Sequence, residues 1–142
     1  MADLGQTSRG AAAPRAPSYP SLYGFQVFLV EDETLVALLL EDMLAEFGCT
    51  IAGVAATLDQ ALAKAAATPH IDAAVLDINL GGGDMIFPVA DALALRGVPL
   101  LFSTAYIGLD LRGRYPQSRI LRKPYMPDAL ARALTGFLES VH

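Results

Sequence analysis

The stretch "VLDINLGGGD", residues 75–84, decides how this chain is read. Val75 and Leu76 end an apolar run of the kind a buried strand needs, and Asp77 stands where that pattern stops. A carboxylate at the C-terminal end of a buried strand is costly unless it is solvated, paired or bound to a metal. Asp77 therefore calls for a partner. The glycines that follow, 81–83, match neither a dinucleotide-binding nor a P-loop spacing, so they read as a flexible loop without a phosphate cradle. Asp84 reads as a turn cap.

Outward from this stretch, short apolar runs alternate with helical patterns. "FQVFLV" (25–30) ends on the acids Glu31, Asp32 and Glu33. Residues 33–48 place Val36, Leu39, Leu40, Met43, Leu44 and Phe47 at helical spacing, with Gly48 as the stop. "CTIAGVA" (49–55) reads as a strand, and Thr57 or Asp59 caps an Ala-rich helix that Pro69 ends. "DAAVLD" (72–77) is the third strand. A helix from around Pro88 to Arg96 is closed by Gly97. "PLLFS" (99–103) and "SRILR" (118–122) complete five strands. Residues 127–141 form a last helix burying Leu130, Ala133, Leu134, Phe137 and Leu138. The segment 104–117 is broken by Gly and Pro, so its helix is one or two turns at most.

Strands alternating with helices imply a parallel sheet covered on both faces and joined by right-handed crossovers. In such a sheet, sites form outside the carboxyl ends of the strands where strand order reverses. That edge receives Glu31 and Asp32 from strand one, Asp77 from strand three, Ser103 and Thr104 from strand four, and Lys123 from strand five. One acid at a strand end is usually a cap or solvated; the whole set at corresponding ends is hard to reach by chance. Asp32 and Asp77, with Glu31 acting through water, make an oxygen-only site suited to Mg²⁺, and zinc is disfavoured without a nearby His or Cys. Lys123 supplies a point charge for phosphate, and the Thr104 hydroxyl a donor. A carboxylate can act as nucleophile toward phosphorus, so Asp77 is expected to receive a phosphoryl group.

The 142 residues suffice for one domain, with 54% hydrophobic and 18% charged residues as in a globular chain. No apolar stretch is long enough to span a bilayer, and no secretory signal is visible. A single cysteine, Cys49, excludes an internal disulfide and fits a reducing cytoplasm; a small apolar packing role suits it better than a catalytic thiol. The net charge of −5 argues against nucleic-acid binding. Charge is uneven: residues 31–46 carry six acids and no base, whereas 112–123 carry Arg112, Arg114, Arg119, Arg122 and Lys123. Two solvated faces account for most of these, but not for Asp32 or Lys123. His70 reads as surface polar. Residues 1–24, rich in Gly, Ala, Pro and Ser, read as a mostly disordered arm in which Tyr19, Leu22 and Tyr23 are the candidates for local docking; the folded domain is expected over 25–142.

"FLVEDE", "LDINL", "FSTAY" and "LRKPY" together resemble the four signature segments of the receiver domain of two-component response regulators. The resemblance covers Phe25 to about Val141. It implies a flavodoxin-like doubly wound sheet of order 2-1-3-4-5, here with a shortened fourth helix. It also implies Asp77 as phosphoacceptor, Glu31 and Asp32 as the acidic metal pair, the Asn79 carbonyl as a further metal ligand, Thr104 as hydroxyl switch and Lys123 as phosphate-sensing lysine. A cis bond before Pro124 is expected from the same resemblance. Implied partners are a sensor histidine kinase or histidine phosphotransfer protein, and a downstream protein at the 104–125 surface; neither nucleic acid nor membrane is implied. The sequence is also similar to single-domain alphaproteobacterial receivers with a Phe-Ala-Thr-Gly-Tyr/Gly signature, with Ser103 and Ala105 in place of its Ala and Gly. Ile120 stands where many receivers carry a switch aromatic, which leaves Tyr106 as the candidate. Two other functions compete. A Mg²⁺-dependent phosphatase with an Asp nucleophile wants a second acid two residues on, where this chain has Asn79. A flavin carrier of the same fold wants a Gly- and hydroxyl-rich loop where this chain has acidic "EDE".

Overall fold

Strand β1 (Gln26–Val30) is apolar on both sides, and that fixes its place in the middle of the sheet. Val27 and Leu29 enter one core layer, Phe28 and Val30 the other. The computed structural model describes residues 19–80, 85–105 and 110–140. After β1 come α1 (Thr34–Glu46), β2 (Thr50–Ala55), α2 (Leu58–Ala67), β3 (Ala73–Asp77), α3 (Phe87–Leu95), β4 (Leu100–Thr104), β5 (Arg119–Arg122) and α4 (Pro127–Ser140). Every strand pairing is parallel, in the order β2-β1-β3-β4-β5. This is the flavodoxin-like order expected from the sequence. Among the described residues, no helix is long and apolar enough to cross a membrane.

The sheet divides the core into two layers. Phe28, Leu76 and Phe102 pack with Ala61 and Ala65 of α2 and Val89 and Leu93 of α3. Val27, Leu29, Val75 and Leu101 pack with Leu40 and Leu44 of α1 and Leu130, Leu134 and Phe137 of α4. Complete burial of one such side chain contributes about 1.5–3 kcal/mol, so the two layers together are the main stabilising term. The helix ends follow local chemistry. The Thr57 hydroxyl accepts from the Gln60 N–H at 3.2 Å and caps α2, and Asp59 follows inside the first turn. Gly48 and Gly97 stop α1 and α3 at φ of 86° and 78°, a conformation other residues enter at a cost.

Two expectations need correction, and a third falls partly outside the described residues. Leu39 is half exposed; Ala37 takes the buried place on α1, because the helix turns Leu35, Leu38 and Leu39 away from the sheet. Of the segment 104–117, expected to hold a helix of one or two turns at most, residues 106–109 lie outside the described residues and 110–117 form turns. Tyr115 anchors the described part: its ring is buried against Phe102 and Phe87, and its hydroxyl donates to Asp91 Oδ1 at 2.7 Å. Arg114 pairs with Asp91 Oδ2 at 2.8 Å and lies over the Phe87 ring, so this arginine is no simple solvated charge. Finally, the folded body begins before Phe25. Pro20–Leu22 form a 3-10 turn, Leu22 is fully buried, and Tyr19 packs edge-on against Phe47 while its hydroxyl donates to Asp128. Tyr23 stays exposed. Residues 1–18 lie outside the described residues.

Leu22 therefore belongs to the core, whereas Tyr23 belongs to the surface. Leu22→Ala is expected to destabilise the fold by about 2–5 kcal/mol, read as a lowered melting midpoint in urea. Tyr23→Ala is expected to stay within about 0.5 kcal/mol of the parent. Equal effects would place the start of the folded body elsewhere.

Candidate functional site

The hydrogen-bond ladder of the sheet continues past the strand ends and holds the polar residues in place. Glu31 N–H donates to the Ala55 carbonyl at 3.0 Å, Ile78 N–H to Ser103 at 3.1 Å, and Lys123 N–H to Thr104 at 2.7 Å. Asp77 stands directly beside Ser103 in the β3–β4 register. Strand order reverses between β1 and β3, and an open cleft of about 440 Å³ lies there, lined by Asp32, Glu33, Asp77, Asn79, Thr104, Ala105 and Lys123.

Glu31, Asp32 and Asp77 each bring a carboxylate oxygen to within 4.8 Å of the others. Glu31 and Asp77 are buried, and Asp32 is partly open to the cleft. Lys123 reaches across from the end of β5, its Nζ donating to Glu31 Oε2 at 3.0 Å and Asp77 Oδ2 at 3.3 Å. The bond between Lys123 and Pro124 is cis, as expected. Glu31 Oε1 accepts from the Glu33 N–H at 3.1 Å, and Asp77 Oδ1 from the Asn79 N–H at 3.3 Å. Thr104 is buried at the end of β4. The structure thus brings together Glu31, Asp32, Asp77, Asn79, Thr104 and Lys123, whereas Ser103, expected at the same edge, is buried and not among the cleft residues. Tyr106, Gly81–Gly83 and Asp84 lie outside the described residues.

Burial governs the electrostatics. It raises the pKa of both Glu31 and Asp77, and Lys123 offsets only part of the effect. The Asp77 charge raises Glu31 further. Burial alone would lower Lys123, but its hydrogen bond to Glu31 and the Asp77 charge outweigh it and leave the ammonium raised. Like carboxylates about 4 Å apart repel by about 4 kcal/mol at an effective dielectric near 20, so the cluster is a source of instability that cations relieve. Its donors are all oxygen, with neither His nor Cys among the cleft residues, which fits a hard divalent cation.

Tyr125 was not among the residues expected at the site. It follows the cis Pro124, packs into the α1–α4 layer, and brings its hydroxyl close enough to feel Lys123, Glu31 and Asp77. The available signal was an aromatic residue two positions after the lysine. His70 pairs with Asp72 at 3.0 Å on the surface at the other end of the sheet, and burial pushes the half-buried Cys49 thiol up to about 11. Neither residue reaches the cleft.

No family model matches the chain. The phyllosphere-induced regulator PhyR of Methylorubrum extorquens is 33% identical over 104 residues, covering 72% of this chain. This chain spans only 39% of that relative's length. Similarity to SdrG of Sphingomonas melonis Fr1 extends over 97% of that structure and 81% of this chain, at 40% identity and a TM-score of 0.69. The chain belongs to the receiver domains of response regulators. The receiver domain of Erythrobacter litoralis PhyR agrees, with 28% identity, a TM-score of 0.72, and coverage of 84% of this chain and 93% of that one. The chain is a signalling module of that family.

A raised carboxylate holds its proton more tightly folded than unfolded. The stability it contributes is present at low pH and is lost as pH rises from the unfolded carboxylate range through the folded value. In chelator, the melting temperature of the wild type relative to Asp77→Asn is expected to fall as pH rises above the unfolded carboxylate range, about 4. A rise instead would mean that Lys123 over-compensates the burial penalty.

Proposed function

We propose that this receiver accepts a phosphoryl group on Asp77 from a phosphohistidine, carried by a sensor histidine kinase or a histidine phosphotransfer protein. The observation that carries this reading is Asp77 itself, buried at the end of β3 between two further carboxylates and the Lys123 ammonium. An Asp77 carboxylate oxygen forms the bond to phosphorus as the bond from phosphorus to the donor's imidazole nitrogen breaks. Lys123 Nζ, held near Asp77, moves onto a phosphoryl oxygen, and the Thr104 hydroxyl donates to another. Glu31, Asp32, Asp77 and the Asn79 carbonyl would hold Mg²⁺, which supplies positive charge to the oxygens of the transferring group.

The consequence is a change at the surface formed by residues 104–125, read by a downstream protein. A switch needs contacts that differ between its two states, and the bonds from Thr104 and Lys123 to the phosphoryl group provide them. A BeF₃-activated conformation is described for SdrG, a relative 41% identical to this chain, which supports activation of this chain by a phosphoryl mimic. The single cysteine and the absence of a long apolar helix among the described residues are compatible with work in the cytoplasm.

Intact mass after incubation with Mg²⁺ and a small phosphodonor is expected to show one phosphate adduct on the wild type and none on Asp77→Asn. An undiminished adduct on the variant would overturn the assignment. Asp32→Asn removes a repelling charge, so without metal it is expected to melt above the wild type, while saturating Mg²⁺ raises its melting temperature less. For the wild type, Mg²⁺ at ten times its dissociation constant is expected to add about 1.4 kcal/mol. A wild-type melting temperature unmoved by Mg²⁺ would remove the metal from the reading.

A further inference from the structure

The charge of residues 111–127 is out of keeping with the rest of the chain. Arg112, Arg114, Arg119, Arg122 and Lys123 stand there without one acid, in a chain of net charge −5. Three of them are neutralised from outside the segment: Lys123 by Glu31 and Asp77, Arg114 by Asp91, and Arg112 by Asp110. Arg119 forms no ion pair among the described residues. Its guanidinium nonetheless has a fixed place. It lies over the Phe137 ring, 5.5 Å from the centroid, and against α4 at Gly136, where a Cβ would come within 2.7 to 2.9 Å of it. Glycine inside a helix is unfavourable relative to alanine, and here its missing side chain makes the seat. An edge strand such as β5 often carries charge only to repel other strands, but that purpose needs no seat.

Two clefts meet beside this guanidinium, where β4 and β5 begin and so at the end of the sheet opposite Asp77. One, of about 400 Å³, is lined by Arg112, Arg119 and residues 116–118. The other, of about 330 Å³, shares residues 116–118 and continues along Val98, Pro99, Leu100 and Tyr115. The second is largely apolar, and its own arginine, Arg114, is already held by Asp91. A seated guanidinium without a carboxylate, next to an apolar hollow, is complementary to an acid and an apolar side chain a few residues apart on one strand of chain. The hollow favours a protein segment over nucleic acid, and so does the net negative charge.

We propose that the foot of β5 docks a linear segment of a partner protein, with a carboxylate of that segment on Arg119 and an apolar side chain in the hollow lined by Val98, Pro99 and Tyr115. Gly136 is then a positioning residue for Arg119. The site falls within the 104–125 surface assigned above to a downstream protein, and the inference rests on that assignment. Docking itself needs no phosphoryl group, so it is measured on the unloaded chain.

The probes are blocked hexapeptides with one leucine and one glutamate, separated by one to three serines, titrated into the ¹⁵N-labelled chain. At least one separation is expected to shift amides within 97–100 and 112–119 together. The same peptide with glutamine for glutamate is expected to bind about three- to tenfold more weakly, and Arg119→Gln to lose the same factor. Gly136→Ala keeps the arginine but pushes it off its seat. It is expected to melt at or above the wild type and yet to bind as weakly as Arg119→Gln. Unchanged affinity in Asp77→Asn would support the site even where loading of Asp77 fails, so the two readings fall separately. No binding by any of the peptides, affinity that neither substitution alters, or equal shifts with free glutamate would overturn the proposal. So would a short single-stranded RNA that binds more tightly than every peptide and is weakened by Arg119→Gln.

Discussion

One ammonium group holds the functional edge of this protein together. Lys123 Nζ lies on Glu31 at 3.0 Å and on Asp77 at 3.3 Å, joining the ends of β1, β3 and β5. Without it, two buried carboxylates would face each other with Asp32 beside them. Removing one partner of a buried ion pair typically costs about 3–5 kcal/mol, because the survivor is left uncompensated. The arrangement is therefore held by charge balance and stays responsive to any cation or anion that changes the balance.

A parallel sheet suits such an edge. The central strands β1, β3 and β4 are buried along nearly their whole length, and their polar groups gather where the strands end. Main-chain bonds from Glu31 to Ala55, Ile78 to Ser103 and Lys123 to Thr104 carry the ladder just beyond the strands. The main chain that carries the acids is thereby fixed, and backbone N–H groups of Glu33 and Asn79 hold one oxygen each of Glu31 and Asp77.

The connection between β4 and β5 is built differently. Its described residues lack a helix and are held by the buried Tyr115 ring, the Tyr115–Asp91 hydrogen bond and the Arg114–Asp91 ion pair. Because the ion pair is about half exposed, the aromatic packing does more to hold the segment than the charges do. This anchor links α3 to the segment next to Thr104, on the side of the sheet opposite α1 and α4. The surface around Thr104 is thus tied to both core layers, through Tyr115 on one side and Tyr125 on the other.

The sequence by itself determined the alternation of strands and helices, and with it the placing of Glu31, Asp32, Asp77, Thr104 and Lys123 at one edge. That was legible because periodicity and strand ends are local properties, and a parallel sheet sends every strand end the same way. The Thr57 cap and the stops at Gly48 and Gly97 were legible for the same reason. Only the tertiary structure decided which leucines of α1 are buried, since Leu39 fits the helical stripe but the docking angle turns it outward. It alone decided that Tyr115 anchors the described part of the β4–β5 connection, because the pairing with Asp91 spans 24 residues of chain. It alone decided that Leu22 belongs to the core, because its partners arrive from β1, α1 and α4. Contacts between residues distant in sequence leave no periodic trace, so packing was the one property that had to be seen in three dimensions.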